Sequence, residues 1–174
     1  MVRKQVVQID GLVTDATIPM ERLVARLDVY MFKSRRLENN TVILKSIELV
    51  NQITNTRGEY QNTIMVSPVE TQNDLRTISS NNVLGVMPDD MSGIIPANAT
   101  ESFYSYQNIA ASAAPDPNVT PYLLITADID GVSHRYKGYI TDNGQTTDKY
   151  SLKRNTVYRI IAMLDNPDNL LILK

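Results

Sequence analysis

The chain has 174 residues, a formal net charge of −2, one histidine and no cysteine. Its length suits one ordinary domain or two small ones, and its apolar content of 43% is sufficient for a hydrophobic core. The slightly acidic charge argues against a general nucleic-acid binder, and the missing cysteine excludes disulfides, thiolate nucleophiles and cysteine-ligated metal sites. Short β-branched runs, separated by turn signals about every ten residues, are typical of an all-β sandwich or barrel.

The N-terminal third predicts strands, with one ambiguous stretch. The first run covers 5–9 and ends at the turn dipeptide Asp10-Gly11. In 16–32, apolar residues at positions 20, 23, 24, 27 and 31 fit a helical stripe, while alternate residues from 23 to 31 fit a strand equally well. We predict a strand because Pro19 lies close to its start and the neighbouring runs favour β structure. The run over 41–53 is apolar on both parities, which predicts a bulge or a strand covered on both faces.

The middle of the chain differs in character. After a short run over 62–66, residues 67–100 carry three prolines, two glycines and a polar stretch over 71–82. A loop of this length is usually functional or connects modules. We therefore predict a long irregular connection over 67–100 and place the candidate domain boundary there.

The second half shows clearer strand signals. Residues 102–106 predict a strand, and 121–140 predict a hairpin that turns at Asp130-Gly131. Another strand is predicted over 155–164, and the chain ends with the apolar run Leu170, Leu171, Ile172 and Leu173. Four consecutive apolar residues are costly in water, so this tail must pair within its own sheet or be donated to another molecule by strand addition.

Residues that could support catalysis or metal binding are better explained as structural. The acidic pairs Asp128/Asp130 and Asp89/Asp90 lie at predicted turns, where aspartate is favoured for local hydrogen bonding. The single histidine, His134, lies in a predicted strand without a GxSxG nucleophile motif. We therefore predict a protein that is not an enzyme and that has no cofactor and no metal site.

An aromatic group could mark a sugar-binding surface. Tyr104, Tyr106, Tyr122 and Tyr136 lie on predicted strands, with Phe103 beside the first of them. In a sandwich without tryptophan, core and cross-strand packing is the simpler explanation. Tyr139 belongs to the same aromatic group. An exposed patch built from the other four tyrosines would instead favour an Ig-like module that binds a glycan or a host surface protein.

Four segments in order resemble the Bacteroidales fimbrillins, the major and minor fimbrial subunits of the FimA and Mfa type. They are ERLVARLDV at 21–29, FYSYQN at 103–108, PYLLI at 121–125 and LKRNTVYRI at 152–160. Gln107 stands where the family usually has an acid, and the chain before the first segment is shorter than is usual in the family.

The resemblance implies an antiparallel Ig-like or transthyretin-like β-sandwich in an exported protein of the cell surface and outer membrane. It implies a partial N-terminal β-module over 1–67 and a C-terminal sandwich domain over 68–174. It further implies a structural subunit of fimbriae that functions in cell adhesion, with other fimbrial subunits as partners and β-strand complementation as the mode of assembly. We expect any export signal to be absent from this chain, because the N-terminal segment lacks an apolar core and a small-residue cleavage site. Leu170–Leu173 are then the candidate donor residues.

Overall fold

The structure, a computed structural model, describes residues 22–54, 71–89, 99–108, 114–141, 149–166 and 169–173. These residues form two four-stranded sheets. Sheet 1 has the strand order β4-β1-β7-β8, and sheet 2 has the order β3-β2-β5-β6. The strands are β1 (Val24–Lys33), β2 (Val42–Ile53), β3 (Thr71–Val83), β4 (Glu101–Tyr106), β5 (Tyr122–Ile129), β6 (Val132–Tyr139), β7 (Val157–Asn166) and β8 (Asn169–Leu173).

The described residues contain one short 3-10 helix, Arg35–Leu37, and no α-helix. The predicted all-β sandwich is therefore confirmed. No helix in this described part of the chain is long and apolar enough to cross a membrane.

The core lies between the two sheets. In β5, Leu123 and Ile125 are completely buried and alternate with partly exposed residues, as expected when one face of a sheet is covered. Sheet 1 contributes Leu27 from β1 and Ile160 from β7 to the same buried cluster. The alternating pattern thus fixes which face of each strand points inward.

One strand pair departs from the antiparallel pattern. All pairings between the named strands are antiparallel except that of β1 with β7, which places Leu27 opposite Tyr158 in a parallel register. Parallel neighbours require a long connection. The chain supplies such a connection, because all four strands of sheet 2 lie between β1 and β7 in the sequence.

Several strand predictions are confirmed. The described part of the ambiguous segment forms β1 and not a helix. The bulge predicted in 41–53 is present, since β2 has one residue more than β5 between Leu44 and Ser46, and one more than β3 between Leu49 and Gln52. The second shift accommodates Asn51, which has a positive φ of 57°.

The hairpin predicted at 121–140 is also present as β5 and β6. Its turn residues Asp130 and Gly131 both have positive φ, 50° and 86°, as a two-residue turn of the primed type requires. Residues of the β1–β2 connection bind the Asp130 carboxylate, which accepts hydrogen bonds from Asn40 Nδ2 at 2.6 Å and from the Thr41 amide at 2.8 Å.

The predicted irregular connection requires a correction. The polar stretch expected as a loop over 71–82 is part of β3, a 13-residue strand paired with β2. It forms a strand despite its polar composition because it lies at a sheet edge, where most of its side chains remain in water.

Strands from both sides of the predicted domain boundary share both sheets. β1 and β2 come from the proposed module over 1–67, yet each is a central strand beside strands from 68–174. The two-domain division stays a prediction that draws no support from these pairings. The strands predicted over 5–9 and 62–66 lie outside the described residues.

Candidate functional site

The candidate donor residues lie in β8. Leu170, Leu171, Ile172 and Leu173 pair antiparallel with β7 at one edge of sheet 1. In this register Leu170 is opposite Leu164 and Leu173 is opposite Ile161. The tail therefore occupies its own sheet, one of the two arrangements that the sequence left open. Donation of the same tail to another subunit stays a prediction.

β8 closes one side of the sandwich. Among the described strands it hydrogen-bonds only to β7, and its backbone also approaches β6 at the corresponding edge of sheet 2. Ile160, Ala162 and Leu164 of β7 are completely buried beside it. A strand in the β8 position thus lies next to the core, and its removal would uncover one row of β7 backbone groups.

Three of the four segments that resemble fimbrillins, at 21–29, 103–108 and 152–160, meet at one end of sheet 1. The Asn155 amide donates to the Val24 carbonyl at 3.1 Å, and the Arg26 amide donates to the Thr156 carbonyl at 3.0 Å. Asn155 has a positive φ of 57°, a conformation that asparagine tolerates better than most residues. These residues therefore have a structural role, since they start β7 beside β1.

The segment at 103–108 joins the same junction. Asn108 and Leu152 form a backbone bridge with hydrogen bonds of 2.9 and 2.7 Å. The Gln107 side-chain oxygen accepts from the Arg154 amide at 3.4 Å. This contact requires only an acceptor oxygen. Glutamine provides one, as would the acid that fimbrillins usually have at this position.

A buried carboxylate links β1 to β4. Asp28 is only 6% exposed, although it lies on the outer face of sheet 1. It accepts hydrogen bonds from Arg26 Nε at 2.7 Å and from Ser102 Oγ at 2.6 Å. The hydrogen bond and charge of Asp28 raise the pKa of the Arg26 guanidinium above its ordinary value. Both donors reach the same carboxylate oxygen, Oδ1, and this link between neighbouring strands favours a structural role.

The alternative to core packing, an exposed patch of four tyrosines, is not formed. Tyr136 is 2% exposed and belongs to the core, as does the completely buried Phe103. Tyr104 is 52% exposed but lies with Tyr106 on β4 of sheet 1, whereas Tyr122 lies on β5 of sheet 2. The expectation of core packing is therefore correct for Phe103 and Tyr136, and the four tyrosines do not share one surface.

A different aromatic cluster lies at the open end of the β5–β6 hairpin. Tyr122 and Tyr139 meet edge to face at 5.5 Å between ring centroids, and Tyr150 contacts Tyr139 at 6.0 Å. Lys137 Nζ lies 4.0 Å from the Tyr122 ring centroid and 4.8 Å from that of Tyr139. All three rings are partly exposed. The two-residue turn could have revealed the first pair, because it fixes the hairpin register and places Tyr122 opposite Tyr139.

The acidic candidates Asp128 and Asp130 have separate structural partners, and His134 lies on β6 with its ring centroid 6.5 Å from that of Tyr136. Asp128 pairs with Lys45 at 3.0 Å, and this hydrogen bond lowers the pKa of the Asp128 carboxyl. The Asn40 amide, the Thr41 N–H and the charge of Lys33 similarly lower the pKa of Asp130. Within the described ranges, no three histidine, cysteine or acidic side chains converge to hold a metal ion.

Comparison with known proteins supports the fold. No protein-family model matches the chain, and no curated protein matches it. A crystal structure of a proposed cell adhesion protein from Parabacteroides distasonis is similar, with a TM-score of 0.58 and 15% sequence identity. The match covers 88% of this chain and 51% of that protein. The chain thus shares the fold of that protein and spans about half of its length.

Proposed function

We propose that this protein is a structural subunit of a bacterial surface fimbria, that it acts in cell adhesion outside the outer membrane, and that it has no catalytic role. Its partners would be other fimbrial subunits, joined by β-strand complementation. Two findings support the proposal: the fold is that of a proposed cell adhesion protein, and four sequence segments resemble fimbrillins.

The position of β8 carries the proposal. This five-residue strand is the last of the described strands and lies at the edge of their sheet, with β7 on one side and β6 across the sandwich. If β8 leaves, an identical strand from a neighbouring subunit can restore the same main-chain hydrogen bonds. Since each subunit both gives and receives one strand, the exchange extends head to tail into a filament.

The sequence between β7 and β8 suits such an exchange. β7 ends at Asn166, and Pro167-Asp168 follow before β8 begins. A residue that precedes proline is restricted toward extended conformations. Opening this connection would therefore direct β8 away from its own sheet along the direction of β7. Residues 166–173 would then reach about 26 Å from the body at roughly 3.3 Å per residue.

A charge in the tail tests the mode of assembly. Leu171→Asp places a carboxylate in the strand that must dock beside a core, so we expect loss of filaments in electron micrographs and of ladders in denaturing gels. The folded monomer should persist by circular dichroism. Val157→Asp is the matched control, because Val157 is a half-exposed apolar residue of β7 outside the tail. Normal filaments from Leu171→Asp would contradict donation by this tail.

A shortened chain tests the acceptor role of β7 apart from the donor role of β8. A chain that ends after Asp168 has no strand to give, but its β7 edge can still receive one. Mixed in small amounts with the full chain, it should cap filaments and shorten them. If the shortened chain does not fold alone, a peptide of sequence NLLILK added in trans should restore its fold. Failure of both capping and rescue would refute the proposed acceptor edge.

The tyrosine cluster supports a second candidate, glycan binding. Tyr122, Tyr139 and Tyr150 present partly exposed rings beside Lys137, and such rings can stack on the apolar faces of sugars. Tyr139→Ala should abolish binding on a glycan array, whereas Tyr104→Ala on the other sheet should not change it. Equal binding by the two variants would remove this candidate.

A further inference from the structure

β3 forms a long sheet edge that carries no net charge. Among the described strands it pairs with β2 alone, and its 13 residues include one acid, Asp74, and one base, Arg76. These two form an ion pair of 2.8 Å with each other. Of residues 71–79, all are exposed except the partly buried Asp74 and Ile78. Two rows of backbone groups therefore run along β3, and only the row facing β2 has a strand partner in the described structure.

Residues 71–77 of this edge lack the devices that usually prevent pairing with another chain, because the bulge in β3 lies beyond them, between Thr77 and Asn82. Natural edge strands are commonly short, bulged or marked by lysine and proline. β3 contains neither lysine nor proline. The other edge of the same sheet, β6, is different because it carries Arg135 and Lys137. Among the described strands, sheet 2 thus has one edge protected by positive charge and one that is unpaired.

The sequence of β3 is complementary to itself in one antiparallel register. With Leu75 on a two-fold axis, Asp74 of one copy is opposite Arg76 of the other, and the reverse pair forms on the far side of the axis. Residues 73–77 of the two copies, which precede the bulge in β3, then overlap over about 17 Å at roughly 3.4 Å per residue. Residues directly opposite in an antiparallel pair lie on the same face of the sheet. Both charged pairs would therefore lie on one face.

The existing pairing with β2 agrees with this placement. Asp74 and Arg76 are opposite the buried residues Leu49 and Ile47, so they share the inner face of sheet 2. Leu75 is opposite Glu48 on the outer face and is 58% exposed. Across the axis, the two Leu75 side chains would meet and cover each other's apolar surface.

We propose that β3 is a docking surface for a second copy of this chain. The two copies pair antiparallel through β3 with Leu75 on the two-fold axis, which joins two copies of sheet 2 into one continuous sheet. The contact is independent of the donor-strand proposal, because β8 belongs to the other sheet. It would link chains or filaments side by side.

A single introduced cysteine tests the register. The natural chain has no cysteine, so Leu75→Cys provides one thiol per copy without side reactions. Residues opposite across an antiparallel pair have Cα atoms about 4.5–5.5 Å apart, within the range of a disulfide. We expect Leu75→Cys to form a covalent dimer under mild oxidation, and Val132→Cys, at a 60% exposed position on β6, to stay monomeric. Equal cross-linking of the two variants would overturn the proposal.

Charge reversal tests the pairing without a covalent bond. Asp74→Arg or Arg76→Asp alone places like charges opposite each other at two symmetric positions. The dimer dissociation constant, measured by sedimentation equilibrium, should rise on the order of tenfold or more. The double variant Asp74→Arg/Arg76→Asp restores opposite charges in the same register and should restore the dimer. Arg135→Asp on β6 makes the same charge change as Arg76→Asp and should leave dimerisation unchanged.

A further substitution guards against a folding defect. Arg76 lies 5.8 Å from the Phe103 ring centroid, so its replacement can also weaken the fold. Leu75→Lys avoids this problem because Leu75 is on the exposed outer face. It should abolish the dimer while the thermal midpoint stays unchanged. A wild-type chain that remains monomeric over the full concentration series, or a double variant that fails to dimerise, would refute the proposal. Neither outcome would bear on assembly through β8, which the tail variants test separately.

Discussion

Replacing Asn51 should reveal how the bulge in β2 supports the neighbouring loop. Asn51 Nδ2 donates to the Pro117 carbonyl at 3.0 Å and to the Thr120 carbonyl at 3.1 Å, and its φ is 57°. Asn51→Ala removes both hydrogen bonds, each worth about 1 kcal/mol. It also leaves alanine in the left-handed region, where the Cβ is strained and no side-chain hydrogen bond compensates, at a cost of about 1 kcal/mol. We expect the free energy of unfolding to fall by about 3 kcal/mol.

Asn51→Gly separates the two contributions. Glycine accepts a positive φ, so only the hydrogen bonds are lost and the expected deficit is about 2 kcal/mol. Asn155 is the matched control, because its φ is also 57° and its side chain accepts only one long contact, from the Arg22 amide at 3.4 Å. Asn155→Gly should therefore change stability by a few tenths of a kcal/mol. Urea titration of the variants measures these differences, and equal effects of the two glycine substitutions would refute the reasoning.

Three further outcomes follow from the region around the β5–β6 turn. Lys33 is 8% exposed and its ammonium donates to the Glu38 and Asn40 carbonyls at 3.0 and 2.8 Å, so Lys33→Met should lower stability in urea by about 2 kcal/mol. The pKa of the Asp130 carboxyl is lower in the folded chain than in the unfolded chain. The ionised carboxylate therefore stabilises the fold above the ordinary aspartate pKa, and this stabilisation is lost as pH falls through the pKa of the folded chain. Asp130→Asn should reduce this acid sensitivity in thermal melts below about pH 5. Gly131→Ala should lower the thermal midpoint by strain alone, since φ is +86° and no atom lies within 4 Å of an added Cβ.

Local sequence patterns predicted most of the fold because period-two alternation and turn chemistry are local signals. The β5–β6 hairpin needed only its alternation and Asp130-Gly131. The bulge in β2 was visible as a change of parity within one run. Strand β1 was harder, since Asp28 and Tyr30 are buried on its outer face and blur the alternation that separates a strand from a helix.

Long-range pairing could not be predicted in the same way. β3 was expected to be a loop because it is polar along nearly its whole length. Its strand conformation depends on hydrogen bonds with β2, which no local pattern shows. The parallel pairing of β1 with β7 joins segments that are more than 120 residues apart, and no local pattern records it. The tyrosines were misgrouped for the same reason, since Tyr104 and Tyr122 lie on different sheets.

The strand order places the two proposed contact edges on opposite sides of the sandwich. β8 lies beside β6, whereas β4 lies beside β2 on the side where β3 forms the other edge. A filament joined through β8 would therefore leave β3 open for side-by-side pairing. In a Leu75→Cys chain that also carries Leu171→Asp, we expect filaments to disappear while the oxidised dimer still forms. Loss of both in a chain that stays folded would show that the two edges are coupled, contrary to their separation in the structure.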